Sequence, residues 1–241
     1  GDDPQAFYKR RVVERCLYGV DLNPLAVELA KLSLWLHTVS KDKALSFLDH
    51  HLRCGNSLIG ARLQEDLMKD PPQLNAAGRV VNGGDLHPRF AFTQIFTQAH
   101  IQSLLDTFRK IAELPGDDVA SQRNKDEWYQ VMDAERDKFR SVANCWLAPF
   151  FGAPVTPGQY EQAVDALHKS EEERKAVTEQ AYYQAARHIA HDKHKCFFHW
   201  ELEFPEVFFD AQGFKAEEER GFDAVIGNPP YGRLLNGADL S

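Results

Sequence analysis

A chain of 241 residues, 43% hydrophobic and 27% charged, has the make-up of a soluble globular protein of one large or two small domains, which excludes disordered, collagen-like and coiled-coil classes. Its most apolar window, residues 146–155, contains Pro149, Gly152 and Pro154 and falls well short of the roughly 18 uninterrupted apolar residues of a membrane span. The formal charge of −8, from 36 acidic and 28 basic residues, argues on its own against a surface that grips nucleic acid.

In chain order, Gly1-Asp2-Asp3-Pro4 has neither the basic nor the apolar region of a signal peptide, and without an initiator Met it reads as part of something longer. Cys16-Leu17-Tyr18-Gly19-Val20 is an apolar run that suits a buried parallel strand. Asn23 then fits a helix N-cap and Pro24 the first helical position. The helix that follows, to Leu36, is apolar on more than one side, so cover on two sides is expected. A second short strand ends near His51-Leu52-Arg53-Cys54, before the turn Gly55-Asn56-Ser57. Residues 62–195 read as largely helical: apolar positions from Ile101 to Ala112 follow helical spacing, and 126–146 and 159–189 look helical. Phe197 to Phe209 holds six Phe and Trp residues, a density expected of a segment packed on a sheet. Phe222-Asp223-Ala224-Val225-Ile226-Gly227 reads as a last buried strand, stopped by Asn228-Pro229-Pro230-Tyr231, because prolines cannot continue a central strand. The architecture expected is α/β: a partial doubly wound, Rossmann-like sheet from residues 1–61 and 196–241, interrupted by a large helical insertion at 62–195.

The four cysteines, Cys16, Cys54, Cys145 and Cys196, form no CxxC pair, which points to reduced thiols and a cytoplasmic protein. Cys16 and Cys54 sit in apolar, strand-like surroundings and are expected to be buried as small hydrophobes.

Three strand ends carry chemistry. An amino group on an aromatic base or an amide is a poor nucleophile, because its lone pair is delocalised. Two fixed acceptors, the side-chain oxygen of Asn228 and the carbonyl of Pro229, can hold its two N–H bonds and favour a more tetrahedral nitrogen. Pro229 and Pro230 stiffen that backbone before substrate arrives, and Tyr231 offers a flat face for stacking. A base in a duplex reaches such a pocket by being flipped out. Asp21, after Tyr18-Gly19-Val20, can hydrogen-bond the ribose hydroxyls of a cofactor, although an Asp there also serves as a turn former. Asn56, in Cys54-Gly55-Asn56-Ser57-Leu58-Ile59-Gly60, can read an adenine edge with its amide or simply make a turn.

Taken together, these residues resemble the adenine-N6 DNA methyltransferases that use S-adenosylmethionine, of the kind fused into type II restriction–modification enzymes and phage-exclusion methylases. The resemblance rests on the Gly19 to Leu36 block, the Cys54 to Gly60 block, the His199-Trp200-Glu201-Leu202-Glu203-Phe204-Pro205-Glu206-Val207-Phe208 block and Asn228 to Tyr231, roughly half the chain. It implies that Asp21 binds the ribose of S-adenosylmethionine, that Leu22 packs on its adenine and that Asn56 contacts the adenine amino edge. It further implies that Asn228 and Pro229 hold the target N6 amine while Tyr231 stacks on the flipped adenine. DNA is then the substrate, and target-recognition and endonuclease domains are the neighbours, in a bacterial cytoplasm, with no metal and no membrane involved. The chain departs from the family in lacking a Gly-rich loop before Asp21, so the isolated piece is expected to bind cofactor and DNA poorly and not to methylate. The alternatives are methylation of a protein glutamine or an RNA base, which the same tetrapeptide chemistry serves, or a non-catalytic scaffold segment.

His188, His191, His194, Cys196 and His199 have types that suit zinc, but their spacing fits no standard framework; a polar helix end is the plainer reading. His50 and His51 are read as sheet residues pointing apart. Ser57 lacks the flanking elbow of a hydrolase nucleophile.

Overall fold

The computed structural model describes residues 4–38, 48, 50–63, 65–75, 77, 79–82, 102, 105–107, 119–210 and 213–228. Helix α1 (Pro4–Arg15) leads into β1 (Gly19–Asp21), α2 (Pro24–Thr38) and β2 (Leu52–Cys54). The two strands pair in parallel, Gly19 opposite Leu52, Val20 opposite Arg53 and Asp21 opposite Cys54. Parallel neighbours need a crossover, and α2 lies within it. This helix starts where the sequence places it: Asn23 Oδ1 accepts the Leu25 N–H at 3.0 Å, and Pro24 is the first helical residue. Val27 is buried with Val13 of α1, Leu48 and Leu52. The expected cover on a second side is not found among the described residues, where Leu25, Leu29, Leu32 and Leu36 stand exposed along one face of α2.

Helix α3 (Val119–Leu147) is 29 residues long. A 3-10 turn (Ala148–Phe151) follows, then α4 (Pro157–Asp165), a second 3-10 turn (Ala166–His168), α5 (Glu171–Thr178) and α6 (Ala181–Ala190). Reciprocal capping boxes start two of these helices, Thr156 with Gln159 and Ser170 with Glu173, and each satisfies two otherwise orphaned N–H groups. The helical readings of 126–146 and 159–189 therefore hold, the second as three helices. Of the run from Ile101 to Ala112, Gln102 and 105–107 are helical; the other positions lie outside the described residues. The core of this part gathers Val142, Cys145, Val155, Tyr160, Ala163 and Tyr183, among others. Tyr160 is buried among them and donates its hydroxyl to the Leu67 carbonyl at 2.8 Å, the partner that a buried phenol needs. Two antiparallel pairs complete the strands: β3 (Gln73–Leu74) with β4 (Val80–Asn82), and β5 (Phe209–Asp210) with β6 (Gly213–Phe214).

The aromatic-rich segment returns to the first part of the chain. A parallel bridge joins Asn56 to Phe197, just beyond β2. Short helices α7 (Trp200–Glu203) and α8 (Pro205–Phe208) follow. Phe198, Phe204 and Val207 are buried, with Tyr18, Val20, Trp200, Phe208 and Phe222 packed around them, as the density of aromatic residues predicts.

Three expectations are corrected. Residues 222–228 form no strand, and Val225 and Ile226 are 79% and 98% exposed. A strand persists where a neighbour accepts its backbone hydrogen bonds, and no described segment does so here. Phe222 alone is anchored, 5.4 Å from the Tyr18 ring and 5.6 Å from the Trp200 ring. Cys16 and Cys54 are exposed, and Cys145 is the buried cysteine. Cys16 follows the last turn of α1, Cys54 is the final residue of β2, and Cys145 lies inside the helical core. Finally, His50 and His51 form a turn ahead of β2 instead of alternating along a strand, and their rings are neighbours, 4.1 Å between centroids.

Candidate functional site

The carboxyl ends of β1 and β2 make one edge. Asp21 closes β1, and its backbone carbonyl accepts the Gly55 N–H at 2.9 Å. The exposed Asp21 carboxyl uses Oδ1 to accept the Asn23 N–H at 2.7 Å. Asn56 does the same for its own turn, with Oδ1 accepting the Leu58 N–H at 3.1 Å. Both residues therefore shape turns, and an exposed carboxylate and an amide remain side by side at the strand ends. Leu22 is 37% exposed, and its carbonyl accepts the Cys54 thiol at 3.6 Å. Asp21, Leu22 and Asn56 are thus brought together. Asn228 is exposed, and no hydrogen bond or ring contact joins it to that edge among the described residues. Pro229, Pro230 and Tyr231 lie outside the described residues.

Behind the edge is a buried charge network that the sequence reading missed. Glu203 accepts from Arg53 Nη2 at 2.6 Å, Arg140 Nε at 2.5 Å, Arg140 Nη2 at 3.0 Å and Arg136 Nη1 at 3.4 Å. Asp133 adds a second carboxylate, 2.8 Å from Arg140 Nη2 and 3.4 Å from Arg53 Nη2. The Tyr129 ring lies under two of the guanidiniums, 5.6 Å from Arg53 and 5.8 Å from Arg136, a favourable cation–π placement. Burial alone would raise the pKa of Glu203, but Arg53, Arg140 and Arg136 outweigh it and hold the carboxyl far below the usual range. Arg53 belongs to β2 and the other cations to α3, so the network clamps the strand that precedes Asn56 to the helical part. The signal was present in His199-Trp200-Glu201-Leu202-Glu203-Phe204, where acids alternate with large apolar residues: a carboxylate set among core residues needs a charged or hydrogen-bonding partner.

Its neighbours fix the loop after Asn56. His199 Nδ1 accepts the Ala61 N–H at 3.0 Å, so Nε2 carries the proton and donates it to Asn144 Oδ1 at 2.9 Å. Glu201 accepts the Leu63 N–H at 2.6 Å, and Trp200 Nε1 donates to the Ser57 carbonyl at 3.0 Å.

Burial lowers the His199 and His51 pKa values to about 4. Glu206 is pushed up to about 7 by burial, against the opposing effects of Tyr18, Arg136 and Lys215. Both of its carboxyl oxygens are buried. These shifts have opposite consequences. Below the ordinary value of 6.5, the unfolded chain binds protons that His51 and His199 refuse in the fold, so stability falls as pH drops from 6.5 towards 4. Glu206 keeps its proton in the fold up to about 7, whereas the unfolded chain releases it near 4.5, so its contribution falls as pH rises through that interval. Glu201, whose pKa burial also raises, acts in the same sense as Glu206, and the two histidines, each lowered to about 4, outweigh the two carboxyls, so the melting temperature is expected to rise between pH 4.5 and 6.5. Glu206→Gln is expected to be more stable than the native chain above pH 7, by on the order of a few kcal/mol. Thermal melts across this range check both, and a variant that melts lower at pH 8 would refute the second.

Against this geometry stands one family match. The profile of the Eco57I restriction-modification methylases matches residues 15–239. The chain belongs to the Eco57I restriction-modification methylase family. It is also 25% identical, over 95% of its length, to a protein of Methanocaldococcus jannaschii named "Putative type II restriction enzyme and methyltransferase". The alignment covers 19% of that relative, so the chain spans about a fifth of its length. No solved structure matches the chain.

In this Eco57I-family chain, the histidine run ends α6. His191 Nδ1 lies 2.8 Å from the Arg187 carbonyl, and the His194 N–H donates to Asp192 Oδ1 at 3.0 Å. The described residues hold no group of three or more His, Cys, Asp or Glu placed to bind a metal ion, and no described helix is long and apolar enough to cross a membrane.

Proposed function

We propose that the chain is the catalytic-core part of a DNA methyltransferase that moves a methyl group from S-adenosylmethionine to adenine N6. The observation that carries this reading is the parallel pairing that sets Asp21 opposite Cys54, with exposed Asp21 and Leu22 beside the Asn56 turn at one carboxyl edge, the side of an α/β sheet where ligands bind. Family membership supports it.

The residues fit the cofactor. An exposed carboxylate at Asp21 accepts from ribose hydroxyls. Leu22 supplies an apolar surface for adenine. Asn56 offers amide hydrogens, together with the second lone pair of an oxygen that already accepts one N–H. S-adenosylmethionine, when bound, supplies a methyl group on a positively charged sulfur. Asn228 Oδ1 and the Pro229 carbonyl accept the two N–H bonds of the target amine, Pro229 and Pro230 hold those acceptors rigid, and Tyr231 stacks on the flipped base. Positioning and electrostatics then carry the rate.

The proposed fold is a Rossmann-like doubly wound sheet formed by 1–61 and 196–241, with 62–195 as a helical insertion. In that order the first strand lies between the second and the fourth. With β1 and β2 as second and third and residues 222–227 as fourth, the first strand would stand between them, an order with which the exposure of Val225 and Ile226 agrees. Target-recognition and endonuclease domains would be its partners, in the cytoplasm.

The test is sequencing of DNA modified by the longer enzyme containing this chain, native and Asn228→Ala. The native enzyme is expected to leave N6-methyladenine at a fixed sequence and the variant to leave none. Unchanged N6-methyladenine in the variant would refute the role of Asn228. Labelling of RNA or protein glutamine in place of DNA would favour the other acceptors.

A further inference from the structure

The geometry points to a second chemistry at the same edge: we propose that Cys54 and Cys196 form a reversible thiol-oxidation site that reacts with hydrogen peroxide to give a disulfide. Two segments distant in sequence meet there. The Asn56 N–H donates to the Cys196 carbonyl at 2.7 Å, and Asn56 pairs in parallel with Phe197. Burial first, and the neighbouring Cys54 thiol second, raise the pKa of the Cys196 thiol. Cys54 is exposed and Cys196 half-buried. Cys196 has φ +36°, the one positive value at a non-glycine among the described residues. A residue with a β-carbon rarely adopts that region, and such strain gathers at functional positions. The other two cysteines lie apart from this pair: Cys145 is buried in the helical core, and Cys16 follows α1.

The order of events follows from exposure. Cys54 meets the oxidant first. Its thiolate attacks one peroxide oxygen; an S–O bond forms, the O–O bond breaks, and hydroxide leaves, to become water with the thiol proton. The resulting sulfenic acid sits beside the Cys196 thiol, whose proton burial holds in place until the second step. Cys196 sulfur then attacks Cys54 sulfur, an S–S bond forms, the S–O bond breaks, and the departing hydroxide takes up the Cys196 proton. Two thiols and one peroxide give one disulfide and two waters. Oxidation also removes the Cys54 hydrogen that the Leu22 carbonyl accepts. In the reading of Leu22 as an adenine contact, this ties the state of the thiols to the cofactor edge. That consequence rests on the proposed function, whereas the disulfide itself does not.

The experiment exposes the chain under native conditions to hydrogen peroxide, alkylates remaining thiols, digests it and identifies linked peptides by mass spectrometry, with no cofactor or DNA present. The expected product is a peptide pair joined through Cys54 and Cys196, released by dithiothreitol, absent from Cys54→Ser and Cys196→Ser, and retained in Cys16→Ser. Sulfinic acid on Cys54 with Cys196 still alkylated, a bridge to Cys16, or both thiols alkylated after peroxide would overturn the proposal. Mapping of the native chain decides the matter alone if a serine variant fails to fold.

Discussion

Glu203→Ala is expected to destabilise the chain by about 3–5 kcal/mol, the usual loss when one partner of a buried ionic cluster is removed. The native cluster sets Arg53, Arg136 and Arg140 against Glu203 and Asp133. Arg136 is fully buried, so it cannot recover hydration without breaking the packing of α3. With Glu203 gone, three guanidiniums are left with Asp133, which is more than a third exposed, and with Asp137, which is more exposed still and pairs with Arg140 at 3.7 Å. Glu203→Gln keeps the shape and one acceptor oxygen but not the charge, and is expected to lose nearly as much. The native carboxyl, held far below its usual range, contributes fully above the unfolded value near 4.5 and loses that contribution only as pH falls well below it. Urea denaturation at pH 7 measures the loss; a change within 0.5 kcal/mol, the ordinary scatter of surface substitutions, would mean that the cluster is not holding β2 to α3.

Gly60→Ala is also expected to be damaging, for a steric reason. A β-carbon at position 60 would run into the Phe198 carbonyl oxygen and lie 3.0 Å from its carbon. These are backbone atoms, with no flexible side chain to swing aside. The two segments are already joined by the Phe198 N–H donating to the Ile59 carbonyl at 2.7 Å. Separating them strains that bond and the adjoining Ala61–His199 bond, which together position the loop after Asn56. Overpacking of this kind costs about 1–3 kcal/mol and more where backbone must move. Gly55→Ala, whose β-carbon would meet the Phe198 ring at 2.5 Å, provides a graded comparison because a ring can shift. Melting temperatures of the two variants should rank with Gly60→Ala lower; the reverse order would show that the Phe198 backbone yields more easily than its side chain.

Much of the first sixty residues was legible because their signals are local. Asn23 and Pro24 announce a helix start by chemistry that acts within three residues. The apolar run before Asp21 and the turn after Cys54 bracket the two strands that pair. The helical part declared itself through periodicity. What the sequence hid was long-range. An apolar stretch such as 224–226 becomes a strand only when a neighbour completes it. Cys54 looks like a core residue until its place at a strand end is known. The arginines at 53, 136 and 140 look like ordinary surface charges, and their common partner is Glu203. Of the candidate site, Asp21, Leu22 and Asn56 follow the ends of β1 and β2, and the parallel pair brings them to one edge; Asn228 is not joined to that edge among the described residues, and Pro229, Pro230 and Tyr231 lie outside them.

The Arg53–Glu203 contact spans 150 positions, and this has a consequence for synthesis. Until Glu203 has emerged from the ribosome, β2 and α3 carry guanidiniums whose principal counterion does not yet exist, and the Ala61 and Leu63 N–H groups wait for His199 and Glu201. Loop closure on that scale slows folding. The amino-terminal strands therefore remain provisional through most of translation, and residues 196–209 act as the closing seam. A ribosome stalled before that stretch should hold a protease-sensitive nascent chain, and one stalled a few dozen codons later a resistant one.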